Sequence, residues 1–90
     1  LRNAETRLLH WLLQQAGGSM IPVAFRLSVP KSVLASEIGT RQETLSRLFG
    51  KLSKLGIVKV QGKIINITDP AALKALFDEN LIKNVYPISE

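Results

Sequence analysis

Gly39 constrains this chain more than any other residue, because it interrupts a stretch, residues 31–50 (KSVLASEIGTRQETLSRLFG), that reads as helix on either side of it. Leu34 and Ile38 stand four apart, at the spacing of one helical face, and Ala35 is small where two crossing helices must approach. Pro30 suits the first position of that helix, where a missing N–H costs nothing. Glycine alone adopts the left-handed backbone without strain, so Gly39 ends the first helix and redirects the chain. Thr40 with Glu43 three residues on has the spacing of a capping box, which would open a second helix at Thr40. Two short helices bent around a glycine make a helix-turn-helix.

The second helix, expected over residues 41–55, has two distinct faces. At about 100° per residue, Leu45, Leu48, Phe49, Leu52 and Leu55 gather on one side. Glu43, Ser46, Arg47, Gly50 and Lys54 fall within roughly 60° of the opposite side. One face packs, and the other offers a carboxylate, a hydroxyl, a guanidinium and an ammonium. A polar face is also what any solvated helix shows, so the segments around it must carry part of the argument.

Gly56 ends that helix. Residues 57–60 and 64–68 are β-branched runs flanking Gln61-Gly62-Lys63, a hairpin at turn spacing. A hairpin directly behind a helix-turn-helix is a wing, so residues 57–68 are read as one. Lys59 and Lys63 lie on or beside it, placed to meet a phosphate backbone; lysines also blunt exposed strand edges. In residues 24–29, Phe25, Leu27 and Val29 alternate with Arg26 and Ser28, predicting a strand with one buried face that pairs with the hairpin. Residues 3–16 carry Leu8, Leu9, Leu12 and Leu13 at helical spacing before Gly17-Gly18, an amphipathic helix expected to cover the back of the second one. Asp69-Pro70 caps and starts a closing helix over residues 70–78; residues 79–90, with Pro87, read as a less patterned tail. The fold class is thus mainly α with a small antiparallel β-sheet, a winged helix-turn-helix.

Composition narrows the partners. Ninety residues make one small domain, and 46% hydrophobic content supports a folded chain. A net charge of +5 favours an anionic partner: nucleic acid first, with an acidic protein or membrane surface as the alternatives. With no cysteine, the chain forms no disulfide and has no thiolate to hold a metal or an iron–sulfur cluster. There is no apolar run of membrane-spanning length and no leader layout, so a cytoplasmic location without membrane contact is expected. Leu1 begins in mid-pattern, which suggests a piece of a longer chain. His10 is the one histidine, with no second histidine or clustered carboxylate beside it, and reads as a surface residue. Scattered carboxylates and the absence of a phosphate-cradling glycine loop argue against an enzyme.

Residues 28–76 resemble the C-terminal DNA-binding domain of the Crp/Fnr family of bacterial transcription regulators. The string Glu43-Thr44-Leu45-Ser46-Arg47, the glycine turn and the Gly-Ile-Val…Gly-Lys-Ile-Ile wing stand in the family's order and spacing. The resemblance implies double-stranded DNA as partner, the transcription machinery as a further candidate, and no cofactor in these residues. It also implies a sensor domain of unknown effector upstream, and a homodimer for the complete protein, with the isolated domain monomeric or weakly associated. Carried over by position, Glu43 would accept from a cytosine amine and Arg47 would donate to guanine. Ser46 matches the Fnr-like branch, whose half-sites resemble TTGAT. Gln42 departs from the pattern: the cyclic-AMP-binding branch has a base-reading arginine there, and Gln42 is left to reach adenine, to touch a phosphate or to make no contact. Ser32 and Thr44 match phosphate-contacting positions, and Arg41, Lys51 and Lys54 are phosphate neighbours by charge. The competing reading is a winged-helix interaction module whose polar face meets an acidic or helical protein, or an RNA.

Overall fold

A computed structural model describes residues 3–85, and the side chains of residues 3–83. The elements run α1 (Ala4–Ala16), β1 (Val23–Arg26), α2 (Lys31–Ile38), α3 (Gln42–Lys54), β2 (Val58–Gln61), β3 (Ile64–Ile67) and α4 (Pro70–Val85). This is the winged helix-turn-helix expected, with a three-stranded antiparallel sheet. α1 starts at Asn3, whose side chain accepts from the Thr6 N–H at 2.9 Å, and stops at Gly17 in the left-handed conformation.

β3 is the central strand, in the order β1-β3-β2. Val23 and Val58 both pair with Ile67, and Phe25 and Val60 both pair with Ile65, so these six side chains share the inner face. The predicted strand at residues 24–29 does pair with the hairpin, one residue earlier and shorter. Past Arg26 the contact continues only through the Leu27 N–H, which donates to the Lys63 carbonyl at 2.7 Å. The wing turn is two residues, Gly62-Lys63, with positive φ at Gly62 alone, the sign pattern of a type II′ turn.

One core joins the layers: Leu8, Leu9 and Leu12 of α1, Leu34 of α2, Leu45 and Leu52 of α3, Ile65 and Ile67 of β3, and Leu73 of α4 are all essentially inaccessible to solvent. Inner leucines of α3 thus lie in the same cluster as the wing's isoleucines, which fixes the wing relative to the helix. Hydrogen bonds add to this at the α3–β2 joint. Ser53 Oγ donates to the Val58 carbonyl at 3.0 Å, and Thr68 Oγ1 to the Gly56 carbonyl at 2.7 Å.

Three boundaries differ from the sequence expectation. Pro30 caps α2 from outside, with ψ of 156°, and is not its first residue. No capping box opens the second helix of the pair: α3 starts at Gln42, with Arg41 as its cap and no side-chain capping bond. The reason lies in the preceding helix. Gly39 N–H donates to Ser36 and Thr40 N–H to Ala35, at 3.0 and 2.8 Å, which is a Schellman closure of α2. Thr40 has therefore spent the N–H that Glu43 would have had to meet, and Glu43 makes no capping bond to it. Lastly, the closing helix runs on to Val85. Asp69 caps it as expected, through the Ala72 N–H at 3.1 Å. The polar Asp78-Glu79-Asn80 does not end it, because Asp78 pairs with Lys74 one turn back and Asn80 donates to the Leu76 carbonyl. Of the expected tail, residues 79–85 are helical and residues 86–90 lie outside the described residues.

Gly39 has φ of +85°, and a Cβ built there would meet nothing closer than 3.8 Å. Strain, not collision, therefore sets the cost of a side chain. Gly39→Ala is expected to lower the unfolding free energy by about 1–2 kcal/mol, read from urea denaturation at an unchanged slope.

Candidate nucleic-acid interface

α3 rests on the core through Leu45, Leu48, Phe49 and Leu52. Helical geometry then turns the other side outward, and Glu43, Ser46, Arg47, Gly50 and Lys54 are all exposed. From Glu43 to Lys54 the stripe runs about 16 Å at 1.5 Å per residue. Glu43 sits in the first turn and Lys54 in the last, each favourable with the helix dipole. Nothing among the described residues covers the stripe, and neither Arg47 nor Glu43 is engaged in an ion pair. A helix about 10–12 Å across with an uncovered row of polar side chains matches the width of a DNA major groove.

The remaining candidates divide by their surroundings. Gln42 is exposed at the start of α3 and lines a cleft with Lys31, Gly62 and Lys63, so the wing turn reaches the N-terminal end of both helices of the pair. Ser32 is exposed in the first turn of α2, and Arg41 is exposed at the α3 cap. Thr44 is half-buried on the flank of the stripe. Lys59 is exposed on the outer face of the sheet, opposite Asn66, and Lys63 lies at the turn held by Leu27. Lys51 also has a partner within the chain. Its Nζ lies 3.0 and 2.9 Å from the two Glu5 carboxylate oxygens, tying α3 to α1. The pair is half-exposed and contributes at most about 1 kcal/mol, but it draws this ammonium towards α1.

Lys31 was missed in the sequence. It lines two neighbouring clefts, one with Gln42 and Lys63, the other with Ser46, Gly50 and Val60 between α3 and the wing. A signal for it exists. A lysine in the first turn opposes the helix dipole, and α2 carries no side-chain cap there, an arrangement that favours an anion from outside.

No shared acid–base or metal centre emerges. Among the described residues no three His, Asp or Glu side chains are grouped to hold a metal, and no helix is long and apolar enough to cross a membrane. His10 is exposed, its ring stacked on Phe77 at 5.8 Å between centroids. Trp11 meets Phe25 edge-on at 5.6 Å.

Comparison with known proteins places this geometry. A family model described as a Crp-like helix-turn-helix domain matches residues 6–76. The chain is 37% identical over 81 residues to the fumarate and nitrate reduction regulatory protein of Salmonella typhimurium, covering 83% of this chain and 32% of that protein. It is 47% identical over 49 residues to the anaerobic regulatory protein of Pasteurella multocida, 54% of this chain and 18% of the relative. Among solved structures, the CO-dependent transcription factor CooA from Carboxydothermus hydrogenoformans superposes with a TM-score of 0.71 at 26% identity, covering 83% of this chain and 37% of that one. The chain thus spans about a third or less of the curated relatives it matches. Its helix pair, its wing and the matched span agree, and the chain belongs to the Crp/Fnr family of helix-turn-helix DNA-binding domains.

Proposed function

We propose that α3 lies in the major groove of a TTGAT-like half-site and reads it through Glu43, Ser46, Arg47 and Gln42. The observation that carries this reading is the uncovered stripe on α3, whose side chains have no competing partner within the described residues. Arg47 donates to guanine O6 and N7, and Glu43 accepts from the cytosine amine of a G·C pair. With its capping role removed by the Schellman closure, Glu43 has this one task, and a carboxylate among phosphates is tolerated only where it finds a donor. Ser32, Lys31, Arg41, Thr44, Lys54, Lys59 and Lys63 hold the phosphate backbone on either side. Lys51 is assigned to the α1–α3 contact and not to DNA. In the complete protein, a cytoplasmic homodimer with further domains, two copies meet half-sites about one helical turn apart.

Fluorescence anisotropy with duplexes carrying single substitutions in the half-site, repeated across salt concentrations, tests the assignment. The logarithm of the affinity is expected to fall linearly with the logarithm of salt concentration, and the affinity to fall for substitutions at the G·C pair. Binding that is indifferent to the base sequence at every salt concentration rules it out. Glu43→Ala is expected to leave affinity for the best site within about tenfold, while raising affinity for sites with another pair in place of G·C. The specificity profile therefore flattens at one position.

A further inference from the structure

α2 ends unfavourably by its own sequence. Glu37 stands in its last turn, at the negative end of the helix dipole, and no basic residue of α2 accompanies it. The missing cation comes from α1. Arg7 Nε donates to the Ile38 carbonyl and Nη2 to the Gly39 carbonyl at 3.2 Å. The guanidinium also lies against Gly39, with Nε and Nη2 each 3.8 Å from where a Cβ would stand. The bend is thus closed from within by the Ser36 and Ala35 carbonyls and gripped from outside by a planar fork. Two positions before Arg7, Glu5 holds Lys51 on α3. α1 therefore touches both helices of the pair with charged side chains.

We propose that Arg7 is a positioning residue for base reading: it sets the direction in which α3 leaves α2, without belonging to the recognition stripe. The cleft that Arg7 lines, with His10, Trp11, Gln14, Glu37 and Ile38, contains none of the residues assigned to DNA. Leverage makes the bend matter. A tilt of about 10° at Gly39 moves the far end of a 16 Å stripe by roughly 3 Å, beyond the tolerance of a hydrogen bond. The base-reading part of this inference rests on the function proposed above; the geometric part does not.

The test uses Arg7→Gln and Arg7→Lys in the whole chain. The first reading is the ratio of affinities for the half-site duplex and for the same duplex with its G·C pair replaced. A purely structural role lowers the folded fraction, which scales both affinities alike and leaves the ratio unchanged. Arg7→Gln is expected to reduce the ratio about tenfold, the size of one mismatched base pair, with Arg7→Lys keeping the larger part of it. The second reading needs no DNA: amide resonances of residues 40–46 shift in Arg7→Gln while those of α4 stay in place. Should Arg7→Gln fail to fold, Arg7→Lys carries both readings with smaller changes. Unmoved amides, or an unchanged ratio, overturn the positioning role. A wild-type ratio of one overturns the base-reading assignment instead, and the amide shifts then decide the role of Arg7 alone.

Discussion

Arg47→Ala is expected to weaken binding to the half-site by about 1–3 kcal/mol and to erase most of the preference for its G·C pair. The size follows from what the side chain is free to do. Arg47 is exposed at the middle of the stripe, between Glu43 one turn before and Lys54 towards the end, and no ion pair holds it. Its planar fork matches two acceptors on one guanine edge, so its removal costs a bidentate contact and leaves those acceptors unmet. Arg47→Lys separates charge from shape: the ammonium keeps the phosphate attraction and the salt slope, but it cannot reproduce the fork. The lysine variant should therefore bind all sites with similar affinity, whereas the alanine variant loses affinity as well. Neither change should move the unfolding midpoint beyond about 0.5 kcal/mol equivalent, because the position is solvated. Anisotropy titrations on matched and mismatched duplexes, with a denaturation curve for each variant, check all of this together. Equal affinities of wild type and Arg47→Ala across the series would remove Arg47 from the interface.

Features that depend on neighbours in the chain were legible before any coordinates. Gly39 and Gly62 demand backbone conformations that side chains resist, and both mark turns where expected. The inward positions Leu45, Leu48, Phe49 and Leu52 of α3 and the alternation around Phe25 report which face is buried, and the structure agrees on these, whereas Leu55, expected on the same face, caps the helix and is 55% exposed. The sequence says least where one atom has two possible partners. The Thr40 N–H serves either a capping box ahead or a Schellman closure behind, and spacing alone does not rank them. The Lys51 ammonium serves either a phosphate or Glu5, which lies 46 residues away in sequence. Arg7 is the extreme case: nothing around it in the chain points to carbonyls more than thirty residues on, because a carbonyl carries no sequence signature. The end of α4 was misplaced for a related reason. Residues 79–90 read as less patterned, and the helix continues into them through the bonds of Asp78 and Asn80 to Lys74 and Leu76.

Leu45→Ala should produce the opposite pattern from Arg47→Ala, although the two residues are two positions apart on the same helix. Leu45 is 1% exposed and packs into the cluster that joins α1, α2, α3 and the sheet. Truncating a leucine in such a site removes transfer free energy and leaves a cavity, together about 2–5 kcal/mol. A chain of this size has a total stability of only about 5–13 kcal/mol, so the loss is a large fraction of the whole. The melting temperature is expected to drop by at least about 8 °C, at roughly 4–8 °C per kcal/mol for a domain this small. DNA recognition should survive in the folded molecules, since the outward stripe is untouched. Affinity corrected for the folded fraction, and the ratio between matched and mismatched sites, are expected to equal those of wild type. Thermal melts and titrations at a temperature where the variant is folded provide the check. A melting temperature within about 3 °C of wild type would mean that the inner face of α3 does not anchor the core. A changed site preference would mean that packing beneath α3 and reading above it are not separable.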